Sequence, residues 1–250
     1  MKSITIRPAL IAAIAVSVVA GLGTIGAADA AAYKEVSVSG GGVITGKVTL
    51  GEAKPDEATY TISKNPDVCG TGSRVVPLVR ANGGSLLDAV VFLDKVKAGK
   101  AFPEGLDTLS INQKGCEFQP YLSVMRNGGT LEATNSDPVL HNMHTYEQIG
   151  RARRTVFNVS QPDMGVISKK IKLRKGAGMK IECDAHDFMH AYVFVARNPY
   201  FAVVNDQGEY KIAGVPPGKY TIKVWHGVLG EQKGKVEVSE GGAVTVDFSY

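Results

Sequence analysis

The chain has 250 residues, with 28 basic and 24 acidic side chains and a formal net charge of +4. An excess so mild excludes a nucleic-acid binder driven by phosphate contacts. The length allows one large domain or two small ones. Residues 1–30 read as a targeting segment: Lys2 and Arg7 form a charged start, an Ala/Val/Ile-rich stretch runs from Pro8 to Ala28, and Ala28 and Ala30 suit cleavage after Ala30. A retained anchor is the alternative, since about 20 apolar residues can span a bilayer. Either way the folded part is expected in the periplasm or otherwise exported. Without Lys2, Arg7 and Asp29 the count is 26 basic against 23 acidic, a net +3. The basic residues cluster in two runs, "RARR" at 151–154 and "KKIKLRK" at 169–175. They read as a solvated strand face or as a docking surface for an acidic partner.

Beyond the leader the pattern is strand after strand. "GVITGKVTL", "DAVVFLDKV", "YLSVM", "GVISKKIKL", "MKIEC", "AYVFVA", "EYKIAGV", "KYTIKVWH", "GKVEVSE" and "AVTVDFSY" are short, rich in β-branched or aromatic residues, and bounded by Gly, Pro, Asn and Asp. No long helical period stands out, so the fold class is all-β, as two sandwiches. In "MKIEC" the alternation puts Met179, Ile181 and Cys183 on one face and Lys180 and Glu182 on the other, which turns the Cys183 sulfur inward. An exported chain with three cysteines asks for one pair and a singleton. Cys69 and Cys116, both in turn-like settings, form the expected disulfide. Cys183 is left over, and metal ligation would explain a thiol kept where oxidation threatens it.

The segment "NDQGEYKIAGVPPGKYTIKVWH", at 205–226, resembles the carboxypeptidase-regulatory-like and rhamnogalacturonan-lyase-like β-sandwich modules in its D-x-G-x-Y-x-I and V-P-P-G-x-Y-x-I pattern. Such modules begin with strands like "GGVITGKVTL" and "AVVFLDKV", which here lie far upstream. The resemblance implies a split module, residues 36–98 and 198–250, with a second domain inserted at 106–197. Two consecutive domains with an irregular N-terminal arm are the alternative. Trp225 sits within a strand and offers no aromatic platform for a sugar.

The inserted segment carries the chemistry. Between "MKIEC" and "AYVFVA" lies Cys-x-x-His-x-x-Met, formed by Cys183, His186 and Met189, and His141 follows the "N-S-D" end of an earlier strand. Order, spacing and strand context together resemble the cupredoxins, with a ligand loop like the short one of amicyanins. The resemblance implies a Greek-key β-sandwich holding one type 1 copper ion: His141 and His186 as imidazole ligands, Cys183 as the thiolate and Met189 as the axial thioether. Two imidazoles, a thiolate and a weak axial sulfur suit both copper oxidation states. His144 and His190 lie beside these positions, able to replace a ligand or form a weaker site; alternation turns His190 away from the metal.

The implied function is a non-enzymatic carrier of single electrons between redox partners, such as a c-type cytochrome. The competing class is a copper-binding or copper-delivery protein without electron traffic. A copper nitrite reductase fits less well: its second copper needs three histidines and a histidine next to the cysteine, where this chain has Glu182. In cupredoxins the second loop histidine brings a ring edge to the surface, so His186 is expected there, ringed by Pro138, Val139 and Phe188.

Overall fold

The computed structural model describes residues 33–250, and the expected leader at 1–30 lies outside the described residues. These residues are almost entirely β; among them the α-helix is the single turn Pro66–Cys69, and no helix is long and apolar enough to cross a membrane.

Four large sheets stack in two pairs. In the first pair, strand Gly42–Thr49 runs antiparallel to Glu209–Val215 and parallel to Ala243–Thr245 and Phe248–Ser249. The facing sheet has the order Phe201–Val203, Ala89–Asp94, Gly218–His226, Gly230–Val238. Ile44, Val48, Leu86, Val91, Leu93, Ile212, Ile222 and Val224 fill the space between them. Strands from before residue 95 therefore hydrogen-bond with strands from after residue 200. The chain leaves and re-enters this pair at one spot, where the Tyr200 carbonyl accepts from Leu93 N–H and Asn198 Nδ2 donates to the Leu93 carbonyl, at 2.9 and 2.8 Å.

Residues between these points build the second pair. One sheet has the order Phe118–Gln119, Thr108–Gln113, Thr130–Asn135, Gly165–Lys170. The other has the order Leu122–Arg126, His190–Ala196, Gly178–Glu182, His141–Ile149, Ala152–Gln161. Ile111, Met125, Leu131, Met143, Met179, Ile181 and Val193 are the core between them. The expected alternation holds at "MKIEC": Met179, Ile181 and Cys183 are buried while Lys180 and Glu182 stay partly exposed.

A third apolar cluster joins the two pairs: Val90, Phe92, Tyr192, Phe194, Ala196 and Trp225. It explains why "AVVFLD" and "AYVFVA" are continuous apolar runs. A strand buried on both faces has no solvent side on which to alternate, and every residue of His190–Ala196 is buried. Contact here is close enough to require glycine. A Cβ on Gly178 would run into the Trp225 ring, and one on Gly227 would run into the Tyr192 ring.

Several strands have no counterpart among those expected, His141–Ile149 and Ala152–Gln161 among them, and neither does one hairpin. Asp56–Thr61 and Ser73–Val79 pair as an antiparallel hairpin whose tip carries the helical turn Pro66–Cys69. It leaves the first pair of sheets and packs Tyr60, Ile62, Val68 and Val76 against the core of the second. The expected Cys69–Cys116 disulfide fastens it there, with Cα atoms 5.2 Å apart. Closing a loop of 47 residues stabilises the fold by about 4 kcal/mol in the loop-entropy model.

Candidate metal centre

His141 opens a strand, and Cys183 follows the strand antiparallel to it. After Cys183 the chain turns tightly: the Cys183 carbonyl accepts from His186 N–H at 3.3 Å, the His186 carbonyl from Met189 N–H at 3.0 Å, and the Met189 carbonyl from Cys183 N–H at 3.3 Å. This knot brings His186 back over Cys183 and feeds directly into His190–Ala196. Three donors converge. His141 Nδ1 lies 3.3 Å from His186 Nδ1, and Cys183 Sγ lies 3.7 Å from His186 Nδ1 and 4.0 Å from His141 Nδ1. All three side chains are buried.

The outer ring nitrogens fix which atoms face inward. His141 Nε2 donates to Asp137 Oδ2 at 2.8 Å, and His186 Nε2 donates to Asn65 Oδ1 at 3.0 Å. With their protons spent outward, both Nδ1 atoms present lone pairs to each other and to the sulfur. Such facing lone pairs repel unless a proton or a cation lies among them. An ion with bonds of about 2.0 Å to nitrogen and about 2.3 Å to sulfur, in a trigonal plane, asks for N···N near ~3.5 Å and N···S near ~3.8 Å. The observed triangle fits within a few tenths of an ångström. Size alone does not choose the metal; a thiolate beside two imidazoles, with a methionine next to them in sequence, favours copper over the harder divalent ions. Met189 is buried at the end of the knot.

Electrostatics agree with a ligand set. Burial, followed by the charges of His141 and Lys64, lowers the His186 pKa to about 4, so its ring is neutral at neutral pH. Burial pushes the Cys183 thiol up against the N–H groups of Asn142, Ala185 and His186, which favour its thiolate. Asn142 N–H donates to Sγ at 3.3 Å. Asp137 in turn accepts from Gly115 N–H and Cys116 N–H, each at 2.8 Å. Burial raises its pKa, but those two donors and His141 outweigh the burial and hold the carboxylate low.

The expected surface position of His186 is overturned. Its ring is only 2% exposed and Phe188 only 4%. The hairpin tip covers both: Asn65 caps the ring edge, and the Arg74 guanidinium lies 4.8 Å from the Phe188 ring centroid. The basic residues divide: Arg153 reaches Glu182, the residue before Cys183, at 3.3 Å. Arg154 and the loop at 174–176 gather on Glu147, six residues along the strand from His141, or about 20 Å away. His144 is half-buried and bound to Asp184, Tyr146 and Asn158. His190 is buried on the opposite face of its strand, beside Tyr121. Residue reasoning missed Asn65 and Asp137. The "SDP" before His141 is a usable signal for Asp137; nothing local marks Asn65, whose contact spans 121 positions.

No protein-family model matches the chain, and no curated protein matches it. Solved structures with a similar arrangement include a purple cupredoxin from Nitrosopumilus maritimus, 18% identical, covering 35% of this chain and 98% of that one at a TM-score of 0.30. Auracyanin A, a "blue" copper protein from Chloroflexus aurantiacus, is 12% identical over 36% of this chain and 98% of that one, TM-score 0.30. A proline-to-glycine mutant of amicyanin in its reduced Cu(I) form is 17% identical over 38% of this chain and 85% of that one, TM-score 0.30. A copper-containing nitrite reductase from Thermus scotoductus matches over only 25% of its own length.

Proposed function

We propose that this chain is an exported copper protein that carries single electrons, with His141, Cys183 and His186 holding one ion and Met189 as a weak axial ligand. The observation that carries this is the convergence of two imidazole Nδ1 atoms and one sulfur into a triangle of ion-binding size. When bound, copper would supply the one-electron couple. The protein's part is to hold the donors still. Asp137 and Asn65 fix both ring orientations and tautomers, and Asn142 steadies the sulfur. A donor set held by such partners on a β scaffold moves little between oxidation states, which keeps reorganisation small.

In this reading the domain boundaries are 36–98 and 198–250 for a carboxypeptidase-regulatory-like host and 106–197 for the cupredoxin. The partner is a redox protein. The second reading, copper binding or delivery without electron traffic, draws support from the cover over His186, which takes away the usual exposed ring edge. One experiment separates them. Protein loaded with Cu(II) is expected to be intensely blue, green or purple through the Cys183 thiolate, and Cys183→Ser to lose that colour. Met189→Leu should keep the colour and raise the potential. Copper bound without colour would overturn the electron-carrier reading and leave the delivery one.

A further inference from the structure

The disulfide does more than fasten the hairpin, because of where its sulfurs lie. Cys69 Sγ, Cys116 Sγ and a ring nitrogen of His186 all fall within 4.8 Å of one another, and Cys116 Sγ lies equally near Asp137 and His141. A bond needed only to pin a hairpin could sit anywhere along it. This one adds two sulfurs to the wall of a site already built from soft donors.

A second observation concerns what holds the cysteines in place. The Arg74 guanidinium donates to the Cys69 carbonyl at 2.9 Å, the Cys116 carbonyl at 2.7 Å and the Gly115 carbonyl at 3.2 Å. From the other side Asp137 accepts from the N–H groups of Gly115 and Cys116. The two backbones are therefore bridged independently of the S–S bond, and breaking that bond leaves the sulfurs facing each other. A guanidinium close by also favours thiolate over thiol.

We propose that Cys69 and Cys116 form a second, redox-gated soft-metal site, which in its dithiol form binds a cuprous ion through two thiolates. A dithiol reductant opens it by exchange. Its thiolate attacks one sulfur, and the other sulfur leaves as thiolate. The reductant's second thiol resolves the mixed disulfide, so the reductant ends as its own disulfide and two protons pass to Cys69 and Cys116. Cuprous ion then displaces those protons; two thiolates suit this soft, low-coordinate ion. Both cysteines are buried, so the reductant gains entry only when the segment at 65–72 lifts. Gly70 and Gly72 in that segment, both at positive φ, allow it to bend. This goes beyond the electron-carrier reading and rests on different atoms.

The test uses the full chain carrying Cys183→Ser, which removes the first site's thiolate. It is treated or not with a phosphine reductant, freed of reductant, and supplied with Cu(I) in competition with a chromogenic chelator. Thiol labelling and circular dichroism follow reduction and fold. The reduced variant is expected to retain about one more cuprous ion per chain than the unreduced one, with the fold intact. Adding Cys69→Ser and Cys116→Ser should abolish that gain. Equal copper in reduced and unreduced protein would overturn the proposal, as would thiols that become labelled only when the dichroism collapses. The colour of the oxidised wild-type protein is a separate readout, so the two proposals can fail independently.

Discussion

Two buried carboxylates belong to one stretch of chain: Asp137, just before strand His141–Ile149, and Glu147, near its far end. Each gathers backbone N–H groups from a distant loop. Glu147 accepts from Arg174, Lys175 and Gly176 and pairs with Arg154; Asp137 accepts from Gly115 and Cys116 and then from His141. The difference lies in the last acceptor position. At Glu147 it goes to a guanidinium and the network ends there. At Asp137 it goes to an imidazole whose other nitrogen faces two more donors. The same device closes a loop at one end of the sandwich and orients a buried imidazole at the other.

The comparison can be broken in four ways. Glu147→Ala leaves three N–H groups unanswered and frees the partly exposed Arg154, and should cost about 3–5 kcal/mol in urea unfolding, at about 1–3 kcal/mol per unsatisfied buried group. The surviving folded protein should bind metal as wild type does. If its affinity falls too, the two ends are not separate. Asp137→Ala should cost less stability, about 1–3 kcal/mol, but lower metal affinity about 10–100-fold in a chelator competition. Unchanged affinity would reduce Asp137 to a second loop clamp.

Acid should act on both carboxylates in the same direction. Burial raises the Glu147 pKa, but the N–H of Lys175, the Arg154 side chain and the N–H groups of Gly176 and Arg174 together bring it below the ordinary value. The unfolded chain therefore takes up these protons at higher pH than the folded one. The stability each carboxylate contributes is complete above the ordinary carboxylate range and is lost as pH falls through the lowered folded value. Urea midpoints should drop over that window in wild type and more shallowly in Glu147→Gln, which starts lower. The smallest effect is expected at Asn65. Asn65→Ala frees one edge of His186 from an exposed residue, so stability should stay within about 0.5 kcal/mol. Metal affinity should fall about tenfold, and release to a chelator should quicken. No change in either would mean that Asn65 only touches the ring.

The sequence carries many of the strands, and the approach of Cys183 to His186, because both write themselves locally. Period-two alternation around Met179 and Ile181, the Cys183–His186–Met189 spacing and the turn settings of the other cysteines need no partner to be read. The hairpin at 56–79 escapes such reading: Pro77 interrupts its second strand, and most of its positions are exposed or half-buried, so no clean apolar face appears. The covered state of His186 is hidden for a related reason. Exposure is set by whatever lands on a residue, and here that is Asn65, from a separate two-stranded hairpin far away in sequence. The position of Arg154 likewise follows from register, opposite Glu147, rather than from composition.

The return of the chain to its starting sheet has a consequence for the order in which the molecule is made. Strand Gly42–Thr49 emerges early, yet its partners are Glu209–Val215, Ala243–Thr245 and Phe248–Ser249, and some of its bonds span 200 residues. Every strand of the donor-bearing sandwich is complete by Ala196. As synthesis proceeds, that sandwich can close while Gly42–Thr49 is paired only at Thr49, opposite Ser85, and the rest of the strand is open to stray pairing. The hairpin that will cover His186 is already present by then. A nascent chain halted near residue 200 would thus hold His141, Cys183 and His186 together on an unfinished foundation. Strands Ala243–Thr245 and Phe248–Ser249 act as the keystone.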